Sequence, residues 1–249
     1  MIKLKTQKEI EVMAEGGKIL VGIMKGLGEI VKVGIKTSEL NRVAETLILK
    51  SGGKPSFKGY RGYPAVICTS VNEEVVHAVP SERRLEEGDI VSLDIGMEYK
   101  GFHTDMARTF AVGKISSKAK KLIEVTKEAL KIGIEEVGVG NTLGDIGFAI
   151  QKYVESQGFG VVRELCGHGI GKEIHEDPQI LNYGEKGTGY KIKEGMVLCL
   201  EPMVTAGDWR LEKAKDGHGF KTKDNSLSCH FEDTVAVLRD GVKILTVIR

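Results

Sequence analysis

Apolar side chains recur at helical spacing from the start of the chain. Thr6 and Glu9 stand three apart, as in a capping box, and Ile10, Met13, Leu20, Met24, Leu27 and Val31 follow, so the spacing predicts a long amphipathic helix. A second helix fits Ser38 to Lys50, where Leu40, Val43, Ala44, Leu47 and Ile48 share a face and Gly52-Gly53 follows the last turn. The pattern then changes to that of strands at 64–70, 89–99 and 103–112. The same order returns, with helices near 117–136 and 143–157 and strands near 159–166, 195–202, 231–239 and 243–248.

Sliding the chain by 106 positions lays the second helix of one half on that of the other. Val33-Gly34 falls on Val139-Gly140, Leu40 on Ile146, Val43 on Ala149, Ala44 on Ile150, Leu47 on Tyr153, Ile48 on Val154 and Gly52 on Gly158. Any two amphipathic helices agree at several positions because they share one period. The flanking Val-Gly and Gly lie outside the periodic stretch and match as well. The pattern predicts an α+β protein of two related halves, 1–113 and 114–249, each a helix pair packed on a strongly bent antiparallel sheet, together forming one domain over 1–249. A crevice between such halves is a natural place for a site.

Composition narrows the class. Lys and Arg number 36 against 35 Asp and Glu, so the basic excess of a dedicated nucleic-acid binder is missing. Hydrophobic residues at 41% allow a sizeable core, while no run of about 18 apolar residues suggests a membrane span. The N-terminal MIKLKTQKEIEVM interrupts its apolar positions with charges and lacks the continuous core of a secretory signal. Cys68, Cys166, Cys199 and Cys229 lie far apart with no CxxC pair, and read as thiols of a reducing compartment, so the cytoplasm is expected.

Five polar residues stand out against this background. In DIVSLDIGMEY, Asp94 is flanked by large apolar side chains, and Asp105, eleven residues on in HTDMARTF, reaches the same end of a hairpin. ELCGHGIGKEIHEDP sets His168 among glycines that let backbone approach a ligand, with His175 seven residues later. Glu201 ends the apolar strand MVLCLEPM, and Glu232 heads another in CHFEDTVAV. An ionised carboxylate where a buried run ends needs a partner, either a Lys or Arg or a metal. Singly, each residue has a plain structural reading as a turn acid, a satisfied histidine or one end of a salt bridge. Together, four carboxylates and one imidazole are too acidic for a structural zinc and suit two divalent cations, whose charge they balance. Clusters of this kind hold a bridging water or hydroxide that attacks a carbonyl or phosphoryl centre. Oxygen-rich ligation with one His favours manganese, iron, cobalt or zinc over copper.

At these residues the chain resembles the type I methionine aminopeptidases, which have the duplicated fold called pita-bread. The segments FKGYRGYP, TSVNEEVVHAVP, GDIVSLDIGMEYKGFHTDMARTF, CGHGIGKEIHEDPQI, EPM and SLSCHFEDT carry the likeness nearly end to end. The resemblance implies a metallo-exopeptidase that removes the initiator methionine from nascent proteins when the second residue is small, by attack of a metal-bridging water or hydroxide on the scissile carbonyl. It implies that Asp94 binds one metal, that Asp105 and Glu232 bridge both, and that His168 and Glu201 complete the shell of the second. By the same likeness Glu201 is also the general base, His175 lies near the scissile carbonyl oxygen and His77 near the amide nitrogen. The methionine pocket falls to Tyr60, Tyr63 and Cys68, with Phe57 and Ile174 beside them. The short bacterial form is the one resembled, which implies a cytoplasmic monomer that meets nascent N-termini near the ribosome, with no DNA or membrane partner.

Three positions depart from the family pattern. His218 in KDGHGF stands where many relatives carry Trp, Ala78 replaces a usual Gly after His77, and Asp233 follows Glu232 where His or Asn is frequent. None removes a ligand, so they bear on substrate preference. Two other readings compete. A proline-specific peptidase of the same fold carries a large domain ahead of the catalytic one, whereas here Thr6 already opens the first helix. A metal-free binding protein of this fold usually loses several ligands, and here all five are present with both accessory histidines.

Overall fold

The computed structural model describes residues 2–248. The first half runs α1 (Gln7–Ile30), α2 (Thr37–Lys50), β1 (Lys54–Pro55), β2 (Ile67–Val71), β3 (Glu74–Val76), β4 (Ile90–Tyr99) and β5 (Phe102–Ala111). The second opens with α3 (Ser117–Glu135) and α4 (Leu143–Ser156), then β6 (Gly160–Val161), β7 (Gly167–Gly169), β8 (Glu176–Ile180) and β9 (Val197–Leu200). It ends with β10 (Met203–Thr205), β11 (Leu211–Lys213), β12 (Phe220–Thr222), β13 (Ser228–His230), β14 (Glu232–Leu238) and β15 (Gly241–Ile244).

The first helix starts where its capping residues place it. The Thr6 hydroxyl accepts from the Glu9 N–H at 3.4 Å, and the Glu9 carboxylate accepts from the Thr6 N–H at 2.8 Å. The 106-residue repeat is realised without slippage in α2 and α4: both have 14 residues, and the buried Leu40, Ala44 and Ile48 become Ile146, Ile150 and Val154. Gly52 and Gly158 leave the two helices at φ +79° each, left-handed backbone that a Cβ would strain.

Nine strands make one antiparallel sheet in the order β1-β4-β5-β14-β9-β7-β8, with β2 also on β4 and β15 on β14. Two three-stranded sheets, β13-β10-β6 and β11-β12-β3, complete the structure. One core packs α1 and α2 onto β2 and β4, and another packs α3 and α4 onto β9 and β14. A Cβ on Gly17 of α1 would meet the Leu245 carbonyl, so this glycine lets the C-terminal segment cross the helix closely. The architecture is thus the α+β pita-bread fold, with a curled sheet and flanking helix pairs in pseudo-symmetric halves.

The strand predicted at 159–166 is shorter than expected: β6 covers two residues, and pairing resumes only at β7. The stretch from 203 to 230, which shows no periodic signal, holds β10 to β13 of three residues each. So few positions do not display a period of two.

Candidate metal centre

Strand register carries the acids into one row. Cys68 pairs with Asp94, Asp94 with Ala107, and Ala107 with Glu232. Directly opposed residues of an antiparallel sheet share a face, so Asp94 and Glu232 flank the Ala107 methyl. Asp105, two residues from Ala107, shares that face by the strand period. In the second half Cys199 pairs with Thr234 and with His168, which adds the imidazole. Glu201 lies two residues beyond Cys199, just past the end of β9.

Asp94, Asp105 and Glu232 bring one oxygen each within 4.8 Å of one another, as do the ligand atoms of His168, Cys199 and Glu232. Glu201 closes the ring with Oε1 3.7 Å from His168 Nε2, and Glu232 Oε1 is 4.0 Å from the same nitrogen. Asp94, Asp105, His168 and Glu232 are buried, and Glu201 is partly open. Among the described residues, Asp94 Oδ1, Asp105 Oδ1 and Glu232 Oε1 find no hydrogen-bond donor, a costly state for buried carboxylates. His168 Nδ1 is 3.0 Å from the Gly169 carbonyl oxygen. That oxygen only accepts, so Nδ1 carries the proton and Nε2 turns a bare lone pair toward Glu201 and Glu232. Lone pairs and acid oxygens facing one another need cations or protons between them. The donor set fits two divalent cations, and Glu232 belongs to both groups of candidate ligands.

The electrostatics follow from this crowding. Burial, then the neighbouring carboxylates, push Asp94, Glu201 and Glu232 well above the usual range, and burial raises Asp105 to about 7. Burial, then the charge of His175, hold His168 down to about 3.

The halves join at β5 and β14, where only Ala107 with Glu232 and Met106 with Asp233 pair regularly. On either side a threonine hydroxyl continues the bonding. Thr234 Oγ1 serves the backbone of Asp105, and Thr109 Oγ1 serves that of His230. On the opposite face, Arg108 donates to the Ala107 and Glu232 carbonyls at 2.8 and 2.5 Å and to Asp233 Oδ1 at 2.7 Å. Asp233 also accepts from the Thr246 hydroxyl at 2.7 Å. Asp233 therefore does not line the site; the alternation of the strand turns it to the clamp behind Glu232, which corrects its expected bearing on substrate.

His77 and His175 stand at the open mouth of the site, both exposed. His77 follows β3 in left-handed backbone at φ +60°, with its ring centroid 6.1 Å from Phe220. The His175 ring lies between His168 at 4.4 Å and Tyr60 at 5.0 Å. Its loop is pinned by a buried ion pair, Lys5 Nζ to Glu176 Oε2 at 2.8 Å. Phe57, Tyr63, Cys68 and Ile174 are buried in one apolar cluster, with Tyr60 packed at its edge. The Tyr63 hydroxyl lies 3.0 Å from the carbonyl oxygens of both Ile67 and Ala78, so the ring is a fixed wall. His218 meets Tyr63 edge-on at 5.4 Å. Asp216 holds the turn that carries it, accepting from Val79, His218 and Gly219 N–H groups.

Sequence reasoning passed over Cys199 and His230. A signal existed for both: each lies two residues before a named acid, Glu201 or Glu232, the spacing at which extended chain returns side chains to one side.

The model of metallopeptidase family M24 matches residues 11–239. A methionine aminopeptidase of Clostridium perfringens is 50% identical over 249 residues, covering 100% of each chain. The structure of methionine aminopeptidase from Rickettsia prowazekii superposes with a TM-score of 0.98 at 41% identity, over 99% of this chain and 100% of that one. That from Thermotoga maritima gives 0.98 at 42% identity, over 100% of both.

Proposed function

The chain belongs to metallopeptidase family M24, among its type I methionine aminopeptidases, and from that premise we infer how its residues divide the removal of an N-terminal methionine. Two divalent cations held by Asp94, Asp105, His168, Glu201 and Glu232 would supply an acidified water and Lewis-acid polarisation of the scissile carbonyl. Cobalt, manganese, iron and zinc all suit these donors.

Glu201 is the general base. Its side chain keeps 13% of its surface open against 2% for Glu232, so it is the cage acid that can meet incoming water and hand on a proton. His175 donates toward the scissile carbonyl oxygen and stabilises the charge that develops there. His77, across the mouth, serves the amide nitrogen as it leaves. The thioether enters the wall of Tyr60, Tyr63, Cys68, Phe57 and Ile174, a wall contiguous with His175 through Tyr60.

The substrate is the N-terminus of a nascent polypeptide with a small second residue, met near the ribosome by a cytoplasmic monomer with no DNA or membrane partner. A formal charge of +1 and four free cysteines support this placement. No helix among the described residues is long and apolar enough to cross a membrane. The chain works as one catalytic domain over 1–249, with its internal joint between 113 and 114.

One observation carries the reading: three unmet acid oxygens and a bare imidazole nitrogen converge in one buried space. The test uses chelated protein reloaded with cobalt or manganese and offered Met-Ala, Met-Gly, Met-Leu and Xaa-Pro peptides. Release of methionine from Met-Ala and Met-Gly, lost on chelation and regained with metal, is expected. Preference for Xaa-Pro bonds would move the chain to the proline-specific peptidases. Equal rates on Met-Ala and Met-Leu would remove the small-residue rule. Protein that takes up no metal and cleaves nothing would be a binding protein.

A further inference from the structure

His230 is the least explained polar residue near the cage. It ends β13 with 1% of its surface exposed, and neither ring nitrogen has a hydrogen-bond partner among the described residues. A buried imidazole with both nitrogens unmet is costly and calls for a reason.

Its place is set by the joint between the halves. Two residues back from the paired Ala107 and Glu232 stand Asp105 on one strand and His230 on the other. His230 thus stands at the same offset from this pairing in the second half as Asp105 does in the first. The Thr109 hydroxyl holds its backbone, accepting from the His230 N–H at 3.1 Å and donating to its carbonyl at 2.9 Å. From this fixed main chain Nε2 reaches to 3.4 Å from Glu201 Oε2, while Glu201 Oε1 faces His168 Nε2 at 3.7 Å. Each oxygen of Glu201 therefore has its own imidazole. His168 has no proton on the nitrogen it presents, so His230 is the one of the two able to donate.

Resting on the reading of Glu201 as general base, we propose that His230 is a positioning residue whose Nε2–H donates to Glu201 Oε2 and fixes which oxygen of that carboxylate faces the cage. The present separation exceeds a formed N–H···O bond by a few tenths of an ångström, within reach of a side-chain torsion. A base that must take a proton along one direction loses rate, more than affinity, when its carboxylate is free to turn.

Two variants of the metal-loaded enzyme and one spectrum test this. His230→Leu fills a similar volume without a donor, and His230→Gln restores an N–H. The leucine variant is expected to lower kcat by about ten- to a hundredfold with KM within about twofold of wild type. Its metal content should stay at the wild-type level, and the glutamine variant should recover most of the rate. In zinc-loaded protein with isotope-labelled histidine, nitrogen NMR should show a proton on His230 Nε2. An unprotonated Nε2, wild-type kcat in His230→Leu, or a glutamine variant no better than leucine would overturn the proposal, as would a loss confined to KM or metal content. If the leucine variant does not fold, the spectrum and the glutamine variant decide. Failure of the underlying reading has a different mark: Glu201→Gln would turn over normally while the His230 proton stayed in place.

Discussion

Thr234 supplies Asp105 with both of its backbone hydrogen bonds on that edge, accepting from its N–H at 3.0 Å and donating to its carbonyl at 2.7 Å through one hydroxyl. A side chain stands where a strand neighbour would present main chain, at the acid expected to bridge the metals. Thr234→Val keeps the shape and removes both bonds. It should cost about 1–3 kcal/mol for each buried group left unmet, read by urea unfolding of the chelated protein. Cobalt affinity should fall about tenfold or more by calorimetry, and Thr234→Ser should restore both. Wild-type affinity in the valine variant would remove Thr234 from the architecture of the site.

Without cations the cage stores protons. Asp105 sits at about 7, and Asp94, Glu201 and Glu232 lie well above the usual range, all raised chiefly by burial. Groups raised in this way stabilise the fold fully below their unfolded values, about 4. They lose that contribution as pH climbs through the folded ones. Above about pH 7 an unfolded imidazole is mostly neutral, as His168 already is when folded, so in the window from about pH 7 upward the acids dominate. Chelated protein should weaken across that window. Cations require bare carboxylates, so their binding expels protons and tightens as pH rises. The Tm difference between cobalt-loaded and chelated protein should therefore widen with pH, and titrations in buffers of different ionisation enthalpy should show proton release. A constant gap without release would mean that the acids are ionised before the metal arrives.

Glu201→Gln should lower turnover by about a hundredfold or more, as loss of a general base does. His77→Ala and His175→Ala should each cost at least about tenfold while bound metal stays near wild type. Peptide hydrolysis and elemental analysis on the same samples separate the two effects. Unchanged turnover in either histidine variant would take that residue out of the reaction.

The clamp behind the joint makes a stability prediction. Arg108 and Asp233 keep only 11% and 8% of their side-chain surface exposed. Asp233→Leu leaves a buried guanidinium with neutral carbonyls alone and should cost about 3–5 kcal/mol. A loss under about 1 kcal/mol in urea unfolding would show the pair to be no more than a surface bridge.

The helices were the most readable part of this chain, because their signals are local. Thr6 and Glu9 set the first, and the repeat placed the fourth near 143–157, one residue longer than the observed Leu143–Ser156. The cage acids were readable for another reason: Asp94, Glu201 and Glu232 interrupt or end apolar runs where a lone carboxylate is expensive. What stayed hidden spans long separations. The Thr234 bonds to Asp105 and the Lys5 pair with Glu176 depend on register across the joint and on the segment before α1 meeting the start of β8, and no local period encodes either. Asp233 shows the opposite failing. Its side of the strand was deducible from Glu232 next to it, yet a difference from the family pattern drew it toward the substrate.

Ala107 coordinates nothing, yet it lies between Asp94 and Glu232 across three adjacent strands and is fully buried. The outer two backbones are roughly 10 Å apart at sheet spacing, and the methyl is nearly the smallest object that can floor the span. Leucine there would leave every acid and imidazole in the chain while filling the hollow they surround. Capacity for ions is thus set as much by what this strand leaves out as by what its neighbours extend into it.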